Sequence, residues 1–128
     1  MIVDTSAVVA IMLREPGHER LVERLATAEV AGIGAPTLSE AGLVLTAKLR
    51  RSSLPLLARF LQEARLVVVP FGEEHWRTAV EGYGRFGRGR HPAGLNFGDC
   101  LTYATARLAG KPLLCVGDDF AKTDLKLA

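Results

Sequence analysis

Five acids in this chain occupy positions where chemistry is often done. Asp4 follows Ile2-Val3 directly and precedes two hydroxyls, Thr5 and Ser6. Glu40 closes TLSE at 37–40, Asp99 closes NFGD at 96–99, and Asp118 and Asp119 form the middle of GDDF at 117–120. Each has an ordinary structural explanation. Asp4 suits the N-cap of a helix. Thr37 with Glu40, and Asn96 with Asp99, have capping-box spacing. GDDF suits a surface turn, where Asp bonds to nearby backbone.

Taken together, the acids ask for more than caps. Each follows an expected strand or opens an expected helix. In a parallel sheet such junctions share the carboxyl edge, where open α/β proteins place their sites. Carboxylates gathered there repel one another and raise each other's pKa. A divalent cation neutralises such a group, and oxygen-only ligands suit Mg²⁺ or Mn²⁺. Helix N-termini help to keep the acids ionised. A metal in such a site activates water and stabilises a leaving oxygen, which points to phosphodiester hydrolysis.

The elements that must position these acids alternate along the chain. Ile2-Val3 reads as a short buried strand, 5–13 as a helix stopped by Glu15-Pro16-Gly17, and 18–28 as a second helix. A strand is expected at 30–34, a long helix from Thr37, another helix at 53–64, and the strand LVVV at 66–69. Helices at 73–86 and 96–109 flank the loop GRGRHPAGL, and LLCV at 113–116 is a last strand. Solid apolar strands between helices predict an α/β three-layer sandwich, its mostly parallel sheet of four to five strands covered on both faces.

Size and composition agree with this. The 128 residues suit one domain spanning 1–128, with no repeat or linker. Hydrophobic residues make up 48%, which argues against disorder. A net charge of +2 is too even to identify a nucleic-acid binder by charge alone. Cys100 and Cys115 lack metal-ligand spacing and read as buried free thiols of a reducing compartment. No apolar run approaches the roughly 20 residues that cross a membrane. Met1 leads straight into the first strand, so no signal peptide is expected and a cytoplasmic location follows.

Other features have weaker claims. Arg85, Arg88, Arg90 and His91 precede the Asp99 helix, and a basic loop there would grip RNA phosphates in a salt-sensitive way. His18, His75 and His91 share no ligand spacing. Trp76 and Tyr83 lie two helical turns apart and are expected to pack, while Tyr103 suits either cleft or core. The helices over 38–61 carry more Leu and Val than one face needs, which suits core, a docking groove or self-association.

MIVDTSAVVAIM, TLSEAGLVL, GRGRHPAGLNFGDCLTYATA and PLLCVGDDFAKTDL, in that order, resemble the PIN-domain ribonucleases, and more narrowly the VapC toxins of bacterial toxin–antitoxin pairs. The resemblance spans nearly the whole chain. It implies a Mg²⁺- or Mn²⁺-dependent endoribonuclease acting on RNA, silenced by a VapB-like antitoxin and forming a homodimer. Asp4 and Asp99 match the direct metal ligands, Glu40 the second acid (a ligand directly or through water), Ser6 the hydroxyl that orients Asp4 or a metal-bound water, and Asn96 the polar residue heading the third motif. At the usual place of the fourth acid stands Gly117, leaving Asp118, Asp119 or Asp124, with Asp118 favoured because it comes first after the strand.

Three rivals remain to be weighed. A haloacid-dehalogenase-type phosphatase needs a second Asp where Ser6 stands, and a receiver domain needs an acid after LVVV, where Pro70-Phe71 stand. A PIN-like protein- or RNA-binding module without catalysis is the third, and the full set of acids argues against it.

Overall fold

The computed structural model describes residues 1–128. Strand β1 (Ile2–Val3) runs without a loop into α1 (Thr5–Met12), and α2 (His18–Thr27) leads to β2 (Ala31–Gly34). Then come α3 (Ala35–Leu49), α4 (Leu54–Glu63), β3 (Leu66–Val69), α5 (Glu73–Phe86), α6 (Phe97–Ala109) and β4 (Leu113–Leu114). A short 3-10 helix, Phe120–Lys122, follows.

The sheet order is β3-β2-β1-β4 and every pairing is parallel. All four strands therefore end at one edge. The chain end adds a fifth, single-bridge partner: Leu113 N donates to Lys126 O, and Ala128 N donates to Leu113 O.

Two cores sandwich this sheet, because neighbouring strand residues point to opposite faces. Val3 and Leu114 join Ala7, Val8, Ile33, Leu45 and Phe60 on the side of α1–α4. Ile2 and Leu113 join Phe86, Leu95, Tyr103 and Ala104 on the side of α5 and α6. Burying each such large apolar side chain contributes about 1.5–3 kcal/mol. In β2, Ala31 and Ile33 serve the first core, whereas Gly34 leaves the other face bare. A Cβ on Gly34 would stand 2.8 Å from Thr105 Oγ1, so the missing side chain lets α6 lie close to the sheet.

Several expectations need correction. The third helix begins at Ala35, not Thr37, because Pro36 fits a first helical turn instead of blocking it. Thr37 is thus inside the helix and caps nothing; its buried hydroxyl bonds Thr102 Oγ1 at 2.9 Å. The last strand is two residues long and ends before Cys115. The LVVV strand is not covered on both faces: it lies at the sheet edge with Val67 and Val68 exposed. Trp76 and Tyr83 are also largely exposed, while Tyr103 is core. Along 38–61, Leu45 and Leu57 are core but Leu43 and Leu54 face outward.

Candidate active site

At the carboxyl edge of the sheet a recess of about 280 Å³ is lined by Asp4, Thr5, Ser6, Val9, Glu15, Glu40, Asp99 and Val116. Four of these eight residues are acids and none is basic. Each acid arrives on a different part of the fold.

Asp4 ends β1, where its N–H donates to Leu114 O, and it caps α1. The capping explanation is correct as far as it goes. Oδ2 accepts from Ser6 N at 3.1 Å and from Ser6 Oγ at 2.6 Å, whereas Oδ1 accepts no hydrogen bond from the protein. Ser6 Oγ in turn accepts from Val116 N at 2.9 Å. The hydroxyl therefore orients Asp4, as expected, and also ties it to the chain leaving β4.

Asp99 opens α6 in the expected capping box. Asn96 Oδ1 accepts from Asp99 N at 2.9 Å, and Asp99 Oδ2 accepts from Asn96 N at 3.1 Å. Again the other oxygen, Oδ1, takes no protein donor. Burial pushes the Asp99 carboxyl above its ordinary pKa; the bond from Asn96 opposes this, and the charges of Asp4, Asp119 and Glu40 add to it.

Glu40 sits on the second turn of α3 instead of at the strand end. Its Oε1 accepts from Thr5 Oγ1 at 2.6 Å, and its Oε2 lies against the backbone of Gly98, where an added Cβ would fall 2.4 Å away. The same division recurs in all three acids: one oxygen bonded to the scaffold, the other without a protein donor.

For the fourth position, where the sequence favours Asp118, both acids of GDDF lie just past β4. Asp119, not Asp118, contributes to raising Asp99. Burial also pushes the Cys115 thiol up to about 11, helped by the charges of Asp4, Asp119 and Asp99. Asp118 and Asp119 are both exposed, and the charge of Asp119 adds to raising Asp99 and Cys115. Asp124 lies elsewhere, bonded to Tyr103, Arg85 and Arg107.

The remaining candidates are placed as follows. Arg88 and Arg90 are exposed on the loop before α6, with the Arg90 guanidinium 5.4 Å from the Tyr83 ring centre. His91 Nδ1 accepts from Ala93 N and His75 Nδ1 from Gly72 N, so both serve local backbone. Both thiols are free; Cys100 is buried and Cys115 half-buried. Three residues escaped the sequence reading. Glu15 reads from sequence only as a helix stop, Thr5 carries no role there, and Gly98 is a plain residue inside NFGD, yet all three lie at the recess or against Glu40. A hydroxyl on the helical turn next to Asp4 was the one signal available.

The donor chemistry suits a hard divalent ion: carboxylate oxygens, no ionised thiol, and no cation in the lining to compensate them. As the side chains stand, no three of them converge closely enough to hold one ion. Direct ligation by all four acids is thus not preformed.

Residues 1–126 match the PIN domain family, to which this chain belongs. Ribonuclease VapC36 of Mycobacterium tuberculosis is 47% identical over 127 residues, covering 98% of this chain and 91% of the relative. Among solved structures, M. tuberculosis VapC20, described as a Sarcin-Ricin loop cleaving toxin, superposes with TM-score 0.79 at 17% identity, covering 99% of this chain and 97% of that one. VapBC2 from Rickettsia felis, bound to a DNA fragment from its promoter, gives TM-score 0.74 at 19% identity, over 99% and 96% of the two chains. At those identities the structural matches speak for the fold.

Proposed function

We propose that the protein is a Mg²⁺- or Mn²⁺-dependent endoribonuclease and the toxin of a toxin–antitoxin pair. The observation that carries this reading is the repeated division of labour in Asp4, Glu40 and Asp99. Each is held by one oxygen while the other takes no protein donor, around a recess with no basic lining. Such an arrangement costs stability through like-charge repulsion unless a cation is present. The VapC ribonuclease relative supports RNA as the substrate class.

In this reading Asp4 and Asp99 are direct ligands, and Glu40 and Asp119 complete the set. When bound, a divalent ion supplies charge neutralisation and Lewis acidity toward a phosphodiester. The chain's own residues do the rest. Ser6 and Asn96 fix the orientation of Asp4 and Asp99, as outer partners of metal ligands do. Arg88 and Arg90 contact RNA phosphates from the loop that precedes the Asp99 helix. Glu40 or the fourth acid would accept the proton that the attacking water gives up.

Partners follow the same reading. A VapB-like antitoxin helix docks in the apolar recess of about 590 Å³ between α1, α2 and α4, lined by Ile11, Met12, Leu25 and Phe60. A second copy covers the outward Leu43, Val80 and Phe97 of α3, α5 and α6. The PIN-domain toxin neighbours, one of them solved as VapBC2, support the antitoxin. The location proposed is cytoplasmic; no helix is long and apolar enough to cross a membrane.

The test is RNA cleavage by antitoxin-free protein with and without Mg²⁺. Asp4→Ala should abolish the Mg²⁺-dependent cut while leaving the fold intact. Undiminished cleavage by that variant would sink the mechanism.

A further inference from the structure

We propose that Thr5 and Gly98 are positioning residues that seat Glu40 in the recess; the activity part of this inference rests on the nuclease reading above. Glu40 projects from a helix turn on a long side chain with several rotatable bonds. Left alone, such a carboxylate would sample solvent, the more so because its charge and that of Asp99 oppose each other. Two contacts from other elements prevent this.

The first comes from α1. Thr5 Oγ1 donates to Glu40 Oε1 at 2.6 Å, a short charge-assisted bond. The second is a shape. An added Cβ on Gly98 would stand 2.4 Å from Oε2 and 3.0 Å from both Cδ and Oε1. The carboxylate therefore lies flat on backbone that any other residue would cover. Gly98 is in the first turn of α6, where the helix dipole favours an anion.

The seat is itself braced. Thr5 Oγ1 also lies 3.2 Å from the carbonyl of Thr37, whose hydroxyl bonds Thr102 on α6 at 2.9 Å. Thr37 and Thr102 are 3% and 0% exposed, so this link is shielded from water. Contacts at Thr5 and Thr37 thus join α1, α3 and α6, the helices that follow Asp4, carry Glu40 and carry Asp99, although the single Thr5 hydroxyl proton goes to Glu40 in the shorter contact. Because Thr5 neighbours Asp4 and Gly98 neighbours Asp99, the seat fixes Glu40 relative to both other acids.

Thr5→Val keeps the shape and removes the donor; Thr5→Ser keeps the donor. Thr5→Val should slow cleavage about tenfold and raise the Mn²⁺ concentration for half-maximal rate, as expected for losing one hydrogen bond to a charged group. Thr5→Ser should restore both. Gly98→Ala should cost more, on the order of 100-fold, by displacing the carboxylate. In a Glu40→Ala background, which leaves Thr5 no acceptor, Thr5→Val should add less than about twofold, because both changes remove the same interaction. Full additivity there, or wild-type Mn²⁺ dependence in Thr5→Val, would overturn the proposal. A readout independent of activity is the Glu40 side-chain carboxyl ¹³C resonance. It should match wild type in Thr5→Ser and move in Thr5→Val; an unmoved signal sinks the seat. If wild type cleaves no RNA while that signal moves, the nuclease reading fails and the seat stands.

Discussion

Asp99 and Asp124 lie at the two ends of one helix and live in opposite surroundings. At the N-terminus of α6, Asp99 is half-buried among Asp4, Glu40 and Asp119, with no cation among the recess residues, and its pKa is raised. Beyond the C-terminus, burial alone would push Asp124 up too. There the Tyr103 hydroxyl, Arg107 and Arg85 outweigh it and hold the carboxyl below its usual range. One acid is compensated by neighbouring cations of the protein and the other is not. Functional sites often show perturbed pKa values, and structural ion pairs perturb them too, so the direction and its cause separate the two acids. By charge balance, then, Asp124 belongs with Tyr103, Arg85 and Arg107 and apart from the recess acids.

The largest effect should come from setting the two acids side by side. Asp99→Asn should reduce Mg²⁺-dependent RNA cleavage on the order of 100-fold or more, the size expected for removing a group that stabilises transition-state charge. Its melting temperature should hold or rise, since one repelling charge is gone and the amide can still accept from Asn96. Asp124→Asn should do the reverse. Cleavage should stay within about twofold, and stability should fall by about 1 kcal/mol, a modest figure because Arg85 and Arg107 are half in water. Its pH dependence has a definite sign. A depressed folded pKa means that Asp124 stabilises fully above the unfolded value of about 3.9 and less as pH falls through the folded one. Wild type and Asp124→Asn should thus melt apart at pH 7 and converge in strong acid.

A smaller difference separates the two acids of GDDF. Asp119→Asn should slow cleavage about tenfold, as loss of an outer member of a metal site does, and Asp118→Asn by no more than about twofold. Equal effects would remove the distinction drawn from their fields at Asp99. Smallest are Arg88→Ala and Arg90→Ala. Each should weaken RNA binding and reduce the slope of log affinity against log salt by about 0.7, one phosphate contact on a single strand. Filter binding across a salt series reads this directly.

Much of the framework is legible in the residues themselves. Alternating apolar runs and helical spacings predict the order of elements, and Asn96 three before Asp99 predicts the capping box that forms. TLSE misled because the same spacing occurs inside a helix once Pro36 is accommodated in its first turn. LVVV misled because a β-branched run looks alike at the centre and at the edge of a sheet. No local pattern separates Asp118 from Asp119, which follow directly on Gly117, a turn residue with a φ of +97°. The Glu40 seat depends on contacts spanning 35 residues to Thr5 and 58 to Gly98, which no local pattern encodes.

The central claim is that the recess acids, and not the Asp124 cluster, await a divalent ion. Calorimetric titration of Mn²⁺ into antitoxin-free wild type, Asp99→Asn and Asp124→Asn tests it most directly. Wild type and Asp124→Asn should bind with matching affinity, and Asp99→Asn should give little or no binding heat. Unchanged binding in Asp99→Asn, or none in wild type, would contradict it.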